Sequence, residues 1–218
     1  MIITYLGHSG FAVELADRLL VFDAVDASLP QTDKQKYIFV SHRHFDHFDR
    51  NLIKKTDGVT FLAFDCKKDC SHVLPQEGTL TVDGMTITTV PSNDEGVAIH
   101  VATAEGGIYH AGDLNDWDWP GEPQDWLSWQ SSVYDKSLDA LSKLDTDVAF
   151  VPLDPRLEHN GAKGIQKAVA KLNPKLTVAM HFAWNDTTIQ QAVRLAAGLS
   201  FPVTIMTEKG DSLVWNSL

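Results

Sequence analysis

Residues 41–47 read Ser41-His42-Arg43-His44-Phe45-Asp46-His47, placing three histidines and an aspartate within six positions. They follow directly on Tyr37-Ile38-Phe39-Val40, a short apolar run that stops at Ser41. Such a run suits a strand buried on both faces. Three imidazoles and a carboxylate in the polar loop after it are what a compact metal site requires. Neutral imidazoles suit zinc, iron or manganese, and the carboxylate adds a hard anionic donor. His42 and His44, two apart, can point the same way from an extended loop, while the adjacent Asp46 and His47 point elsewhere. The spacing therefore offers two pairs of ligands for two neighbouring ions. The competing reading, a histidine-rich surface loop, accounts poorly for the regular H-x-H-x-D-H order.

Working outward, residues 2–5 and 11–15 read as a hairpin around Gly7 and Gly10, and residues 18–22 as a strand after a short turn. Asp49 is placed to cap a short helix over residues 50–56, and residues 59–64 return as a strand. Residues 79–82 and 85–90 flank Asp83-Gly84 as a second hairpin, and 97–103 with 108–110 flank Gly106-Gly107 as a third. The second half changes character. Residues 126–144 are helix-like, with Leu127, Val133, Leu138, Leu141 and Leu144 expected on one buried stripe. A strand over 147–153, a helix over 164–172 stopped by Asn173-Pro174, a strand over 176–181 and a helix over 187–199 then alternate. A last strand over 203–207 is expected to pair with residues 212–215. Strands first and alternation second predict sheets with helices on their outer faces.

The length of 218 residues suits one domain, residues 1–218, able to bury a sizeable core without a disulfide. Hydrophobic residues at 44% and charged residues at 22% exclude a disordered chain. Eighteen Lys+Arg against 29 Asp+Glu give a net charge of −11, which repels phosphate backbones and anionic membranes. No nucleic-acid or membrane partner is expected, and homo-oligomerisation stays open. The start MIITYLGHSG lacks the basic residues and apolar run of a signal peptide, so a cytoplasmic location is expected. Cys66 and Cys70, four apart, read as inert thiols rather than a redox pair.

The motif resembles the H-x-H-x-D-H signature of the metallo-β-lactamase superfamily. Thr4-Tyr5-Leu6-Gly7-His8-Ser9-Gly10 and Leu20-Val21-Phe22-Asp23 look like the bacterial metal-dependent hydrolases allied to ascorbate-6-phosphate lactonase. Ile108-Tyr109-His110-Ala111-Gly112-Asp113 looks like that group's segment with the metal-bridging aspartate, and Met180-His181-Phe182 like its last histidine segment. The resemblance implies an α+β fold, the four-layer αβ/βα sandwich, with metals at the loop edge between two sheets. It implies that His42 and His44 hold one divalent ion, that Asp46, His47 and His181 hold a second, and that Asp113 bridges them. Zinc is the first expectation, with manganese or iron as alternatives. A hydroxide held by the ions would be the nucleophile, oriented by Asp46, with Asp46 and Asp113 as the catalytic carboxylates.

The superfamily usually supplies a third histidine to the first metal from a loop that here reads Pro91-Ser92-Asn93-Asp94-Glu95-Gly96. Asp94 is the candidate replacement; its alternative reading is a turn residue before Gly96. His8, Asp23 and Asp154, at predicted strand ends or adjoining loops, are candidates to orient ligands or meet substrate, and the resemblance gives His110 a similar supporting role. Trp117, Trp119, Trp126 and Trp129 are read either as a wall over the substrate or as packing. Arg156, Lys163 and Lys167 are the candidates for a substrate phosphate. The expected function is hydrolysis of a small-molecule ester, lactone or phosphoester. The alternatives are a phosphodiesterase or nuclease of the same superfamily, a non-catalytic metal-binding or ligand-sensing protein, and a di-iron redox role.

Overall fold

A computed structural model describes residues 1–66 and 69–216. Its strands fall into two sheets. In the first, β1 (Ile2–Gly7) pairs antiparallel with β2 (Gly10–Glu14), and β2 with β3 (Arg18–Phe22). The chain then crosses over so that β4 (Gln35–Val40), β5 (Val59–Ala63) and β6 (His72–Leu74) add in parallel. In the second, β7 (Gly78–Val82), β8 (Met85–Pro91), β9 (Val97–Thr103) and β10 (Gly106–His110) form an antiparallel meander. Two parallel strands, β11 (Val148–Pro152) and β12 (Leu176–Met180), extend it.

The sheets meet through aromatic side chains that alternation sends inward. Phe150 of β11 stacks on Phe11 of β2 at 4.3 Å and lies 6.3 Å from Phe22 of β3, all three fully buried. Every residue of β11 is buried, so its other face is covered as well. That cover is α3 (Lys163–Leu172), which packs on β11 and on α2 (Gln124–Leu141), while α2 reaches β8. The short α1 (Arg50–Lys55) is capped as its sequence predicts, with the Asp49 carboxylate accepting from the amides of Asn51 and Leu52. Helix α4 (Asp186–Ala197) begins with a capping box between Asn185 and Thr188. Two mixed sheets with helices packed on them make an α+β sandwich. No helix among the described residues is long and apolar enough to cross a membrane.

Three expectations are corrected. Gly106 and Gly107 pair with Thr103 and Ala102 inside β10, so the turn of that hairpin is Ala104-Glu105 and not Gly106-Gly107. Residues 203–207 form no strand with 212–215: Thr204 makes only an isolated bridge to Val178, and β13 (Ser212–Val214) pairs antiparallel with Ile2–Thr4 of β1. The buried stripe of α2 runs through Gln130, Tyr134, Ser137, Leu138 and Leu141, so Leu127, Val133 and Leu144 are only partly covered. Strand β6 and a 3-10 helix over Pro155–Asn160 were not anticipated, each being too short to show a period.

Candidate metal centre

The site is assembled at the carboxyl ends of strands, where chains leaving two sheets converge. His8 follows β1, Asp23 follows β3 and the motif follows β4; Asp94 follows β8, Asp113 follows β10, Asp154 follows β11 and His181 follows β12. Several of these turns demand unusual backbone. His8, Asp23 and His181 have φ of 48°, 42° and 66°, a left-handed conformation that costs about 1–3 kcal/mol for a residue with a β-carbon. Two glycines let the second sheet close on the motif. A β-carbon on Gly96, at φ +65°, would stand 2.0 Å from the Ser41 carbonyl oxygen, and one on Gly112 2.7 Å from the Ser41 β-carbon. The Val97 amide donates to that carbonyl at 2.9 Å, tying the sheets together at the motif's first residue.

Asp113 lies at the middle. Its Oδ1 is 3.0 Å from His47 Nε2 and 3.3 Å from His181 Nε2, and its Oδ2 is 3.4 Å from His42 Nε2. The opposite edges of these rings are held. His47 Nδ1 meets Asp23 at 2.7 Å, His181 Nδ1 meets Asp154 at 3.1 Å, and His42 Nδ1 meets Ser41 Oγ at 2.9 Å. Asp23 in turn accepts from the Ser41 amide and hydroxyl, at 2.8 and 2.6 Å. His110, behind this layer, donates from Nε2 to the Ser9 carbonyl and stacks on Phe22. With Nδ1 engaged, each of the three rings turns Nε2 toward Asp113, the arrangement that prepares imidazole for a metal.

The donors fall into groups whose ligand atoms lie within 4.8 Å of one another: His42, His44 and Asp113 in one, His8, Asp46, His47 and His181 in another, and Asp23, His42 and His47 in a third. Asp23 is already engaged with His47 and Ser41, which leaves the first two. The Nε2 atoms of His8, His42 and His47 and Oδ1 of Asp113 are buried without any hydrogen-bond partner. Such atoms cost about 1–3 kcal/mol each when left unsatisfied, so their convergence fits the residues to a divalent metal.

Electrostatics agree. Burial opposes charge on Asp113, but His47 and His181 outweigh it and hold the carboxyl well below the usual range. Burial likewise opposes charge on His181, yet Asp113 and Asp154 raise it to about 9. Asp46 is brought down to about 2, because His8 and His47 prevail over its burial. His8 is lowered to about 4, mainly by burial, so its ring is neutral at neutral pH.

The structure thus brings together His42, His44, Asp46, His47, Asp113 and His181, with Asp23, Asp154 and His110 behind them. His8 stands closer in than an orienting role requires, as a fourth member of the Asp46 group. Asp94 lines the same cavity but lies outside the His42–His44–Asp113 group. Burial and the Asp113 charge raise its carboxyl above the ordinary value. Of the phosphate candidates only Arg156 lines the cavity. Lys167 is bound to Asp116 and Asp135 at 2.7 and 3.1 Å, and Lys163 to Asp118 at 2.7 Å, between α2, α3 and the loop before α2. Trp117, Trp119 and Trp126 form part of the wall and Trp129 does not; Trp184 completes it without having been singled out. Glu95, also missed, pairs with Arg43 at 2.6 Å and stands 3.4 Å from His44 Nε2.

A sandwich of two mixed sheets with a histidine-aspartate centre at one edge defines the class. The family profile described as "Beta-lactamase superfamily domain" matches residues 2–117, and the chain belongs to that superfamily. A UPF0173 metal-dependent hydrolase of Nanoarchaeum equitans is 25% identical over 193 residues, spanning 84% of each chain. One of Methanopyrus kandleri is 27% identical over 211 residues, again spanning 84% of each. Among solved structures, the metallo hydrolase Igni18 of Ignicoccus hospitalis superposes with a TM-score of 0.65 at 18% identity, covering 100% of this chain and 99% of its own. The metallo-beta-lactamase fold protein YhfI of Bacillus subtilis does so with 0.60 at 15%, covering 98% and 99%. These last two likenesses concern the fold alone.

Proposed function

We propose that this chain is a metal-dependent hydrolase of a small-molecule ester or lactone, with residues 1–218 acting as one domain. The observation that carries the reading is the set of buried, unpartnered Nε2 and Oδ1 atoms facing one another beneath an open cavity. His42, His44 and Asp113 would hold one divalent ion, and Asp46, His47 and His181, joined by His8, would hold another. Asp94, which lines the same cavity, would complete the first group, while Glu95, 3.4 Å from His44 Nε2, is held by Arg43. A divalent metal there, zinc first among the candidates, supplies Lewis acidity to a carbonyl oxygen and lowers the pKa of water toward about 7.

The chain's own residues do the rest. Asp46 stays ionised at neutral pH and lines the cavity, so it can accept a hydrogen bond from water and orient it. Asp23 and Asp154 keep the His47 and His181 rings aimed inward. The net charge of −11 and the absence of an uncommitted cation among the described cavity residues favour a small substrate over a nucleic acid.

Elemental analysis of the purified, unchelated protein, paired with a hydrolysis screen in the metal found, tests this. About two ions per chain with turnover of esters or lactones is the expected result, and Asp94→Ala should lower the content toward one. Protein that takes up no zinc, manganese or iron overturns the reading. Unchanged metal content in Asp94→Ala removes that residue from the ligand set.

A further inference from the structure

The cavity above the donor groups measures about 370 Å³, and indole rings make much of its wall: Trp117, Trp119, Trp126 and Trp184. Trp117 and Trp119 lie nearly parallel, 6.0 Å apart with an interplanar angle of 10°. The Arg156 guanidinium sits 4.1 Å over the Trp184 ring and 5.5 Å from the Trp119 centroid, so its planar cation links these two indoles. Its charge is already committed: Nε and Nη2 donate to the Asp154 carboxylate. Nη1 takes part in none of these bonds. At another point of the wall Gln130 is only 5% exposed, and its Oε1 is buried with no hydrogen-bond partner.

These features decide between ligand chemistries. A phosphate on the non-reacting part, away from the metal donors, would need a cation free to meet it, and Arg156 is neutralised while Lys163 and Lys167 lie outside the cavity. A sugar would need a hydrogen-bonding group for most of its hydroxyls, because each one left bare on burial costs about 1–3 kcal/mol. Apart from the metal donors and Asp94, the wall offers it chiefly Gln130, Arg156 and the unpartnered Nε1 of Trp184, too few for a ring of hydroxyls. Indole faces instead reward a flat apolar group, with contacts worth about 0.5–1.5 kcal/mol beyond area burial. We infer that the non-reacting part of the substrate is an uncharged aromatic ring lying against the Trp119–Trp184 wall, so that the substrate is an aryl or arylalkyl ester or lactone. An acceptor on the ligand meets Arg156 Nη1. The ester or lactone part rests on the hydrolase reading; the ring preference rests on the wall alone.

Two amides of matched shape separate the claims: acetanilide, with a planar ring, and N-cyclohexylacetamide, with a puckered one. Calorimetric titration of the metal-loaded protein should show acetanilide binding at least tenfold more tightly. Trp119→Leu, whose ring neighbours are Trp117 and Arg156 rather than the donor groups, should reduce that preference at least fivefold while metal content, far-ultraviolet circular dichroism and melting temperature stay close to the parent's. Equal binding of the two amides, no binding of either, or a preference surviving both Trp119→Leu and Trp126→Leu overturns the inference. Turnover of benzyl acetate against cyclohexylmethyl acetate, whose leaving groups are alike, tests the other half. Ring-selective binding with no ester turnover would keep the wall assignment and remove the hydrolase reading. Turnover of both esters at equal kcat/KM would keep the hydrolase and remove the ring preference.

Discussion

The Asp23 carboxylate stands 2.7 Å from Nδ1 of His47, and both side chains are fully buried. This contact decides which face of the imidazole looks at Asp113. Asp23→Asn keeps the shape but removes the charge that holds the ring. Metal affinity is expected to fall about 10–100-fold, the usual range for a lost outer partner of a ligand histidine. Competition against a chromogenic chelator reads this directly. Affinity within twofold of the parent would show that Ser41 and the fold orient His47 without Asp23.

His181 gives a pH signature in protein stripped by chelator. Against its burial, Asp113 and Asp154 raise the ring to about 9, above its ordinary value of 6.5. A raised value means stability that is fully present below pH 6.5 and lost as pH climbs toward 9. The melting temperature of stripped protein should therefore fall between those limits, and Asp154→Asn should flatten the fall. Metal competes with that proton, so uptake should release protons and strengthen over the same range. A melting temperature independent of pH in stripped protein would contradict the assignment.

Phe150 joins the two sheets, fully buried and stacked on Phe11. Phe150→Ala should cost about 3–5 kcal/mol, the transfer term plus the cavity left behind. Urea unfolding followed by tryptophan fluorescence would measure it, and a loss below about 1 kcal/mol would mean the sheets repack.

Gly96 has no room for a side chain. Gly96→Ala combines a left-handed backbone with a β-carbon 2.0 Å from the Ser41 oxygen, so the loop carrying Asp94 must move away from the motif. Destabilisation above about 1 kcal/mol is expected, with weaker binding at the His42–His44 group and little change at the Asp46 group. Differential loss of the two ions in chelator titrations would show it.

Much of the architecture was legible because each element carries a local signal. The buried run 37–40, the Asp49 cap and the Asp83-Gly84 turn each need only neighbours in sequence. The partner of residues 212–214 was not legible, since pairing to Ile2–Thr4 at the far end of the chain leaves no local trace. The same division runs through the site. His42, His44, Asp46 and His47 stand together and announce donor chemistry, whereas Asp113 and His181 were reached only by family resemblance. Asp23 and Asp154 showed as polar residues where apolar runs stop. Gln130 and Trp184 gave no signal, because a glutamine on a helix and an isolated tryptophan gain meaning only from the cavity they line. The lysines misled because their acidic partners sit on other elements.

The closure at Ser41, where the Val97 amide and two glycines press the second sheet onto the motif, also sets when an ion can be captured. A chain emerging from the ribosome presents His42, His44, Asp46 and His47 early, but Asp113 and His181 come roughly 70 and 140 residues later. Neither half alone carries a complete donor group of those described for the two ions. With the donors so divided, an ion held by either group would be captured only by the finished chain, and it would resist the parting of the two sheets rather than the fraying of either one.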